Sequence, residues 1–156
     1  MMEISPLQLK SYAFSDVLIT AQDNPNNSDL NKIEGEQTFG VCPDNKRNWH
    51  ASLTVKLNAN EGEKPPYLGR IKIEGFFRVH EEWPEDRIEA LVSSNAPALL
   101  YGAIREMFAP LTSRSKHGLI YLNTVRFPPQ EINKEMKKII RSTRSNRSSA
   151  PTTTVS

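Results

Sequence analysis

The stretch NAPALLYGAIREMFAPLTSRS, Asn95 to Ser115, carries only two charged side chains between Ala96 and Ala109, those of Arg105 and Glu106. A surface helix of a small soluble protein shows a full polar face. At about 100° per residue, Leu100, Tyr101, Ile104, Met107, Phe108 and Leu111 form one bulky apolar face. Ala98, Gly102 and Ala109 form a small, uncharged stripe nearly opposite. The bulky face is expected on a sheet. The small stripe lets a second helix come close, and another copy of the chain supplies one; the alternative is a terminal helix of the same chain folding across it. Pro97 interrupts the pattern, because an interior proline loses a hydrogen bond and clashes with the preceding turn. The helix is therefore expected to begin at Pro97, capped by Asn95 or Ala96, and to end near Ser113. A separate helical stretch precedes it, PEDRIEALVSS, opened by Pro84 and two acids.

Outward from this helix, strands are legible by alternation. In WHASLTVKLN, Trp49, Ala51, Leu53, Val55 and Leu57 fall on one face and His50, Ser52, Thr54, Lys56 and Asn58 on the other. YLGRIKIEGFFRVHE turns Ile71, Ile73, Phe77 and Val79 inward and Arg70, Lys72, Glu74 and Arg78 outward, with Phe76 on the outward set. SYAFSDVLIT, residues 11–20, is a first strand on Tyr12, Phe14, Val17 and Ile19, with a bulge near Asp16. Between the first two strands runs a long irregular connection, AQDNPNNSDLNKIEGEQTFGVCPDNKRN, whose Ile33, Phe39 and Val41 a merely solvated loop would not need. After the helix, GLIYLNTVRF returns as a fourth strand, and PPQEINKEMKKII closes with an amphipathic helix on Ile132, Met136, Ile139 and Ile140. The order predicts an α+β domain: a four-stranded antiparallel sheet with a long helix packed on one face and a C-terminal amphipathic helix.

Length and charge narrow the function. With 156 residues, 37% apolar, the chain suits one domain with a substantial core. No apolar run approaches the roughly 20 residues that cross a bilayer, and MMEISPLQLKSYAF has no apolar signal core. Cys42 stands alone, which excludes an internal disulfide and points to a reducing, cytoplasmic setting. Residues after Gln130 carry six basic and two acidic side chains, a net +4 of the chain's +2, which leaves −2 for the rest. The basic character thus belongs to the C-terminal end, where RSTRSNRSSAPTTTVS is too poor in apolar residues to fold. Such a tail is read as solvated; the alternative is nonspecific nucleic-acid binding.

Catalytic constellations are lacking. His50, His80 and His117 have no metal-ligand spacing, and Cys42 has no histidine at a motif spacing. Glu81, Glu82, Glu85 and Asp86 read as a helix start with a solvated face. No phosphate loop or dinucleotide fingerprint occurs. A binding protein without cofactor or metal is favoured over an enzyme.

From Asn95 to Phe127 the sequence resembles the SecB family of export chaperones. The shared pattern is Pro97 near the helix start, the apolar run Leu99 to Tyr101, the Arg105–Glu106 pair, Ser113–Arg114 at the helix end and Val125–Phe127 closing a strand. EGFFRV upstream resembles the family's glycine-apolar-Phe segment. The resemblance implies a SecB-like chaperone domain over residues 1–143, with 144–156 a disordered basic Ser/Thr-rich tail. It implies a homotetramer, a dimer of dimers with the main helices central, here through Ala98, Gly102, Arg105 and Ala109. It further implies an ATP-independent holdase whose unfolded or preprotein clients lie in apolar grooves formed by sheet, crossover loop and terminal helix. The client-binding candidates are Ile33, Phe39, Val41, Trp49, Leu53, Phe76, Met136, Ile139 and Ile140, each weighed against ordinary core packing. Export members are strongly acidic and dock the SecA motor on carboxylates of the outer sheet face, where this chain carries Arg70 and Lys72. Docking of that kind follows complementary charge. A SecB-type holdase serving another partner, such as the antitoxin of a toxin–antitoxin pair, therefore fits better than SecA-coupled export.

Overall fold

Trp49, Ala51, Leu53, Val55 and Leu57 are each no more than 4% exposed, and they form the centre of the sheet's inner face. The computed structural model describes residues 1–30 and 32–132. Four strands, β1 (Leu7–Ala21), β2 (Lys32–Cys42), β3 (Asn45–Asn58) and β4 (Tyr67–Val79), precede a 3-10 turn at Glu85–Arg87 and one helix, α1 (Ile88–Ser113). The strands make one antiparallel sheet in the order β1-β4-β3-β2. Leu53 pairs Ile73 and Val55 pairs Ile71, so the alternation of the two central strands stacks into one apolar face. The bulge expected near Asp16 is present as a register shift between Phe14 and Asp16, and a second lies between Leu9 and Ser11.

Three expectations are corrected. The segment after Ala21 is not wholly irregular: Lys32–Cys42 is a strand that forms a tight hairpin with β3, Cys42 pairing Asn45 across Pro43 and Asp44. It alternates, with Ile33, Gly35, Gln37, Phe39 and Val41 all register partners of the inner residues of β3. The fourth strand of the sheet is therefore β2, and GLIYLNTVRF is not a strand.

The second correction concerns Pro97. The helix runs unbroken from Ile88 to Ser113 with Pro97 and Pro110 inside it. Ile88, Val92, Ala96, Leu100, Ile104 and Phe108, each four residues from the next, are all buried against the sheet. An interior proline costs about 3 kcal/mol, while each large buried side chain of this row contributes about 1.5–3 kcal/mol. Packing wins, and Pro97 itself is buried. Tyr101 joins the buried face, Met107 is partly buried against the core, and Leu111 is exposed.

The third is the course of the chain after the helix. Thr112 Oγ1 donates to the Phe108 carbonyl and accepts from the Ile120 N–H, at 3.0 and 3.1 Å. Between them the chain reverses at Gly118, whose φ of 76° suits a residue without a β-carbon. Residues 119–127 then run back along α1 as a strap. The helix holds it by its carbonyls: Arg105 Nε donates to Leu122 O at 3.1 Å, the Tyr101 hydroxyl to Asn123 O at 2.5 Å and Ser94 Oγ to Phe127 O at 2.9 Å. Because helix side chains satisfy these acceptors, the segment needs no strand neighbour. Leu122 of the strap is buried, as is Ile132 after it. The expected terminal helix is not begun by Ile132; its remainder, with Met136, Ile139 and Ile140, and the basic tail lie outside the described residues.

Candidate functional site

The crossover from β1 to β2 and the strap face each other across two clefts that share Ile120. One, of about 480 Å³, has Pro25, Asn26 and Ser28 on the crossover side and Leu119 and Ile120 on the other, with His117 at its end. The second, of about 370 Å³, lies among Leu30, Ile33, Ile120, Tyr121 and Asn123. The crossover is a built wall. Gln22 N donates to Pro66 O at 2.8 Å, and Asn26 is joined to the β3–β4 loop three times: its N–H to Lys64 O, its amide nitrogen to Gly62 O, and its amide oxygen accepting from Lys64 N. These bonds replace the strand ladder that so long a connection forgoes.

The opposite wall exposes alternate apolar side chains. Ile120 and Leu122 of the strap point into the fold, whereas Leu119, Tyr121 and Val125 are exposed, Tyr121 at 71%. An extended apolar segment laid beside them would bury surface without any fixed sequence being read, since apolar burial is non-directional. Among the described residues no His, Cys, Asp and Glu side chains gather as a metal site, and no described helix is long and apolar enough to cross a membrane.

The structure divides the residues expected to bind clients. Ile33 and Val41 are half-buried on the inner face of β2, Ile33 lining the smaller cleft. Phe39, Trp49 and Leu53 are core residues, at 0, 4 and 0% exposure, because β2 and β3 turn them under the helix layer. Trp49 further donates its indole N–H to Lys46 O at 2.9 Å. Phe76 is 55% exposed, but it lies on the opposite, outer face beside His50, ring centres 5.0 Å apart. It therefore does not share a groove with Ile33. Of the residues expected between subunits, Ala98 is exposed and Gly102 and Ala109 are partly so. Arg105 is exposed too, but its Nε is engaged in holding the strap. Sequence reading missed Leu119, Tyr121 and Val125 as site residues, although the alternation that suggested a strand marks their exposed set.

Charges on the outer face are paired across strands. Arg70 meets Asp16 at 2.6 Å, Lys56 meets Glu36 at 2.7 Å and His50 lies 3.7 Å from Glu74; Thr38 and Ser52 share a short hydrogen bond. At the clefts, Lys116 binds Asp23 and holds its carboxyl below the ordinary value, mainly through the hydrogen bond and its positive charge. Burial raises the Tyr101 phenol, against the smaller pull of Arg105, which keeps it the donor its bond to Asn123 requires.

No family model matches the chain. Among characterised proteins it is similar to the protein-export protein SecB of Acidithiobacillus ferrooxidans, 32% identical over 76 residues, which are 49% of this chain and 50% of that protein. The SecB of Thiobacillus denitrificans is 26% identical over 83 residues, 53% of this chain and 54% of that one. The chain thus spans about half the length of the curated relatives it matches. Among solved structures, it resembles the SecB-like chaperone Rv1957 of Mycobacterium tuberculosis, solved in complex with a ChAD peptide from the Rv1956 HigA1 antitoxin. That likeness has a TM-score of 0.57 at 17% identity and covers 79% of this chain and 93% of that one. The strand order and the long helix of the described residues give the chain a SecB-like fold, and over about half its length its sequence is similar to the two export proteins.

Proposed function

We propose that the chain is an ATP-independent cytoplasmic holdase that binds unfolded polypeptide segments in the clefts between crossover and strap. The observation that carries this reading is the exposed pair Leu119 and Tyr121, each lining one of two clefts that share Ile120, with Val125 exposed further along the strap. The described residues leave this row unburied at no evident gain to the fold. The reading requires no reactive group, cofactor or metal. The client class closest to hand is an antitoxin segment, as bound by the structural relative from Mycobacterium tuberculosis. The paired charges of the outer face support a partner other than a basic docking motor, so SecA is not the proposed partner.

Assembly as a homotetramer, a dimer of dimers, belongs to the same reading. Among the described residues two surfaces are left apolar and uncovered. One is the helix stripe Ala98, Gly102 and Ala109; the other is the free edge of β1, with Tyr12, Val17 and Leu18 exposed. Two distinct self-contacts are what a closed dimer of dimers needs. The decisive experiment is suppression of aggregation of a chemically denatured client, without nucleotide, at a fixed ratio of chain to client. Unchanged light scattering of the client at excess chain would refute the holdase reading.

A further inference from the structure

The two walls of the larger cleft are joined where each begins. His117 Nε2 lies 2.5 Å from the carbonyl oxygen of Gln22, and Lys116 Nζ lies 2.5 Å from Asp23 Oδ1. Gln22 and Asp23 open the crossover; Lys116 and His117 lead into the strap. The turn that carries Lys116 and His117 is itself fixed from beneath. Tyr67, fully buried at the start of β4, accepts from the His117 N–H at 3.0 Å and donates its hydroxyl to Gly118 O at 3.0 Å. The two rings meet edge-on at 5.6 Å. The strap is thereby anchored to the sheet, and the crossover, itself bonded to the β3–β4 loop through Gln22 and Asn26, is joined to the strap through these two contacts.

We propose that these contacts form a clasp that sets the width of the cleft, with His117 as the positioning residue, and that the clasp governs how long a bound segment stays. The proposal rests on the reading of the cleft as the client site. The contacts are unequal. Lys116 and Asp23 are both exposed, and such a pair contributes little and is screened by salt. His117 is half-buried, and its bond shares the protection of the buried Tyr67. The acceptor is a carbonyl, so Nε2 carries the proton, and both the neutral ring and the imidazolium satisfy it. Removing the ring leaves the backbone bond to Tyr67 in place, so the turn keeps its anchor, while the crossover keeps its bonds to the β3–β4 loop and loses the one that ties it to the strap.

The test compares His117→Ala with His117→Gln in the full chain; the glutamine amide restores a donor. Amide exchange of crossover residues 22–30 is measured in the free protein. Dissociation is followed with fluorescently labelled, reduced and carboxymethylated α-lactalbumin, a permanently unfolded probe. His117→Ala should speed crossover exchange about three- to ten-fold, the range of one lost hydrogen bond, and speed probe release by a similar factor. His117→Gln should recover both, and strand exchange should not move in either variant. Unchanged crossover exchange in His117→Ala overturns the clasp. Faster exchange with unchanged release overturns its control of residence time. A wild-type chain that does not hold the probe refutes the holdase reading instead, and the exchange arm still decides the clasp.

Discussion

Leu100 occupies the space that a β-carbon on Gly75 would need, its Cδ2 lying 2.8 Å from that position, with Phe77 Cε2 at 3.0 Å. Here α1 packs directly on the sheet, over β4. Gly75→Ala should therefore destabilise the fold by about 1–3 kcal/mol, the cost of overpacking a filled core. Leu100 is fully buried and has little room to yield. Urea unfolding with an unchanged m-value would register it as a lower midpoint. An unaltered midpoint would mean that the helix can lift at this point.

Gly102 presents the opposite case. A β-carbon there meets nothing within 4 Å. In an isolated chain Gly102→Ala should stabilise the helix by about 1 kcal/mol, the propensity difference between the two residues. Gly102→Glu should leave the fold intact but place a charge on the proposed contact between copies. Light scattering should then show a smaller assembly than that of the wild type. Leu18→Glu at the β1 edge should do the same independently, and the double variant should be monomeric. A wild-type chain that is already a monomer would end the assembly reading.

On the strap, Tyr121 is the most exposed aromatic beside the clefts. Buried aromatics dominate binding energies at interfaces, often by 2 kcal/mol or more. Tyr121→Ser is expected to weaken client binding about ten-fold or more and to leave the thermal midpoint within a degree or so, because the side chain supports nothing in the free fold. Fluorescence titration with the unfolded probe measures the first and calorimetry the second. Equal affinity of Tyr121→Ser and wild type would remove the strap from the site.

How far these features can be read from the sequence depends on what each residue faces. The two central strands are covered on their inner face, so their alternation is uninterrupted and legible. At the edge, β2 tolerates Gly35 and Gln37 among its inner positions, and the broken apolar pattern hides a strand whose turn signal, Pro43–Asp44, was in plain view. Pro97 misleads for the reverse reason: a local rule of about 3 kcal/mol is overridden by the buried row beneath it. The strap alternates like a strand because one side of it is buried, but its acceptors are satisfied by Ser94, Tyr101 and Arg105, side chains far from it in sequence. No local pattern announces such partners. The helix-to-sheet face and the small stripe, by contrast, follow from helical spacing alone.

The clasp also predicts an acid response. Lys116 holds the Asp23 carboxyl below its usual 3.8, chiefly by hydrogen bond and charge. A carboxylate whose folded value is depressed contributes above its unfolded value and loses that contribution as pH falls through the folded one. The Asp23–Lys116 contact should therefore be intact from neutral pH down to about 4 and open only below 3.8. Carboxyl chemical shifts followed by NMR should give an Asp23 midpoint under 3.8 that rises towards that value in Lys116→Ala. Because both side chains are exposed, about 1 M salt should raise it as well, screening the pair. The His117 bond runs from the ring to a backbone carbonyl and involves no carboxyl group. Crossover exchange, corrected for intrinsic rates, should thus respond to acid less than it responds to His117→Ala. A response of equal size would transfer the positioning role from the ring to the ion pair.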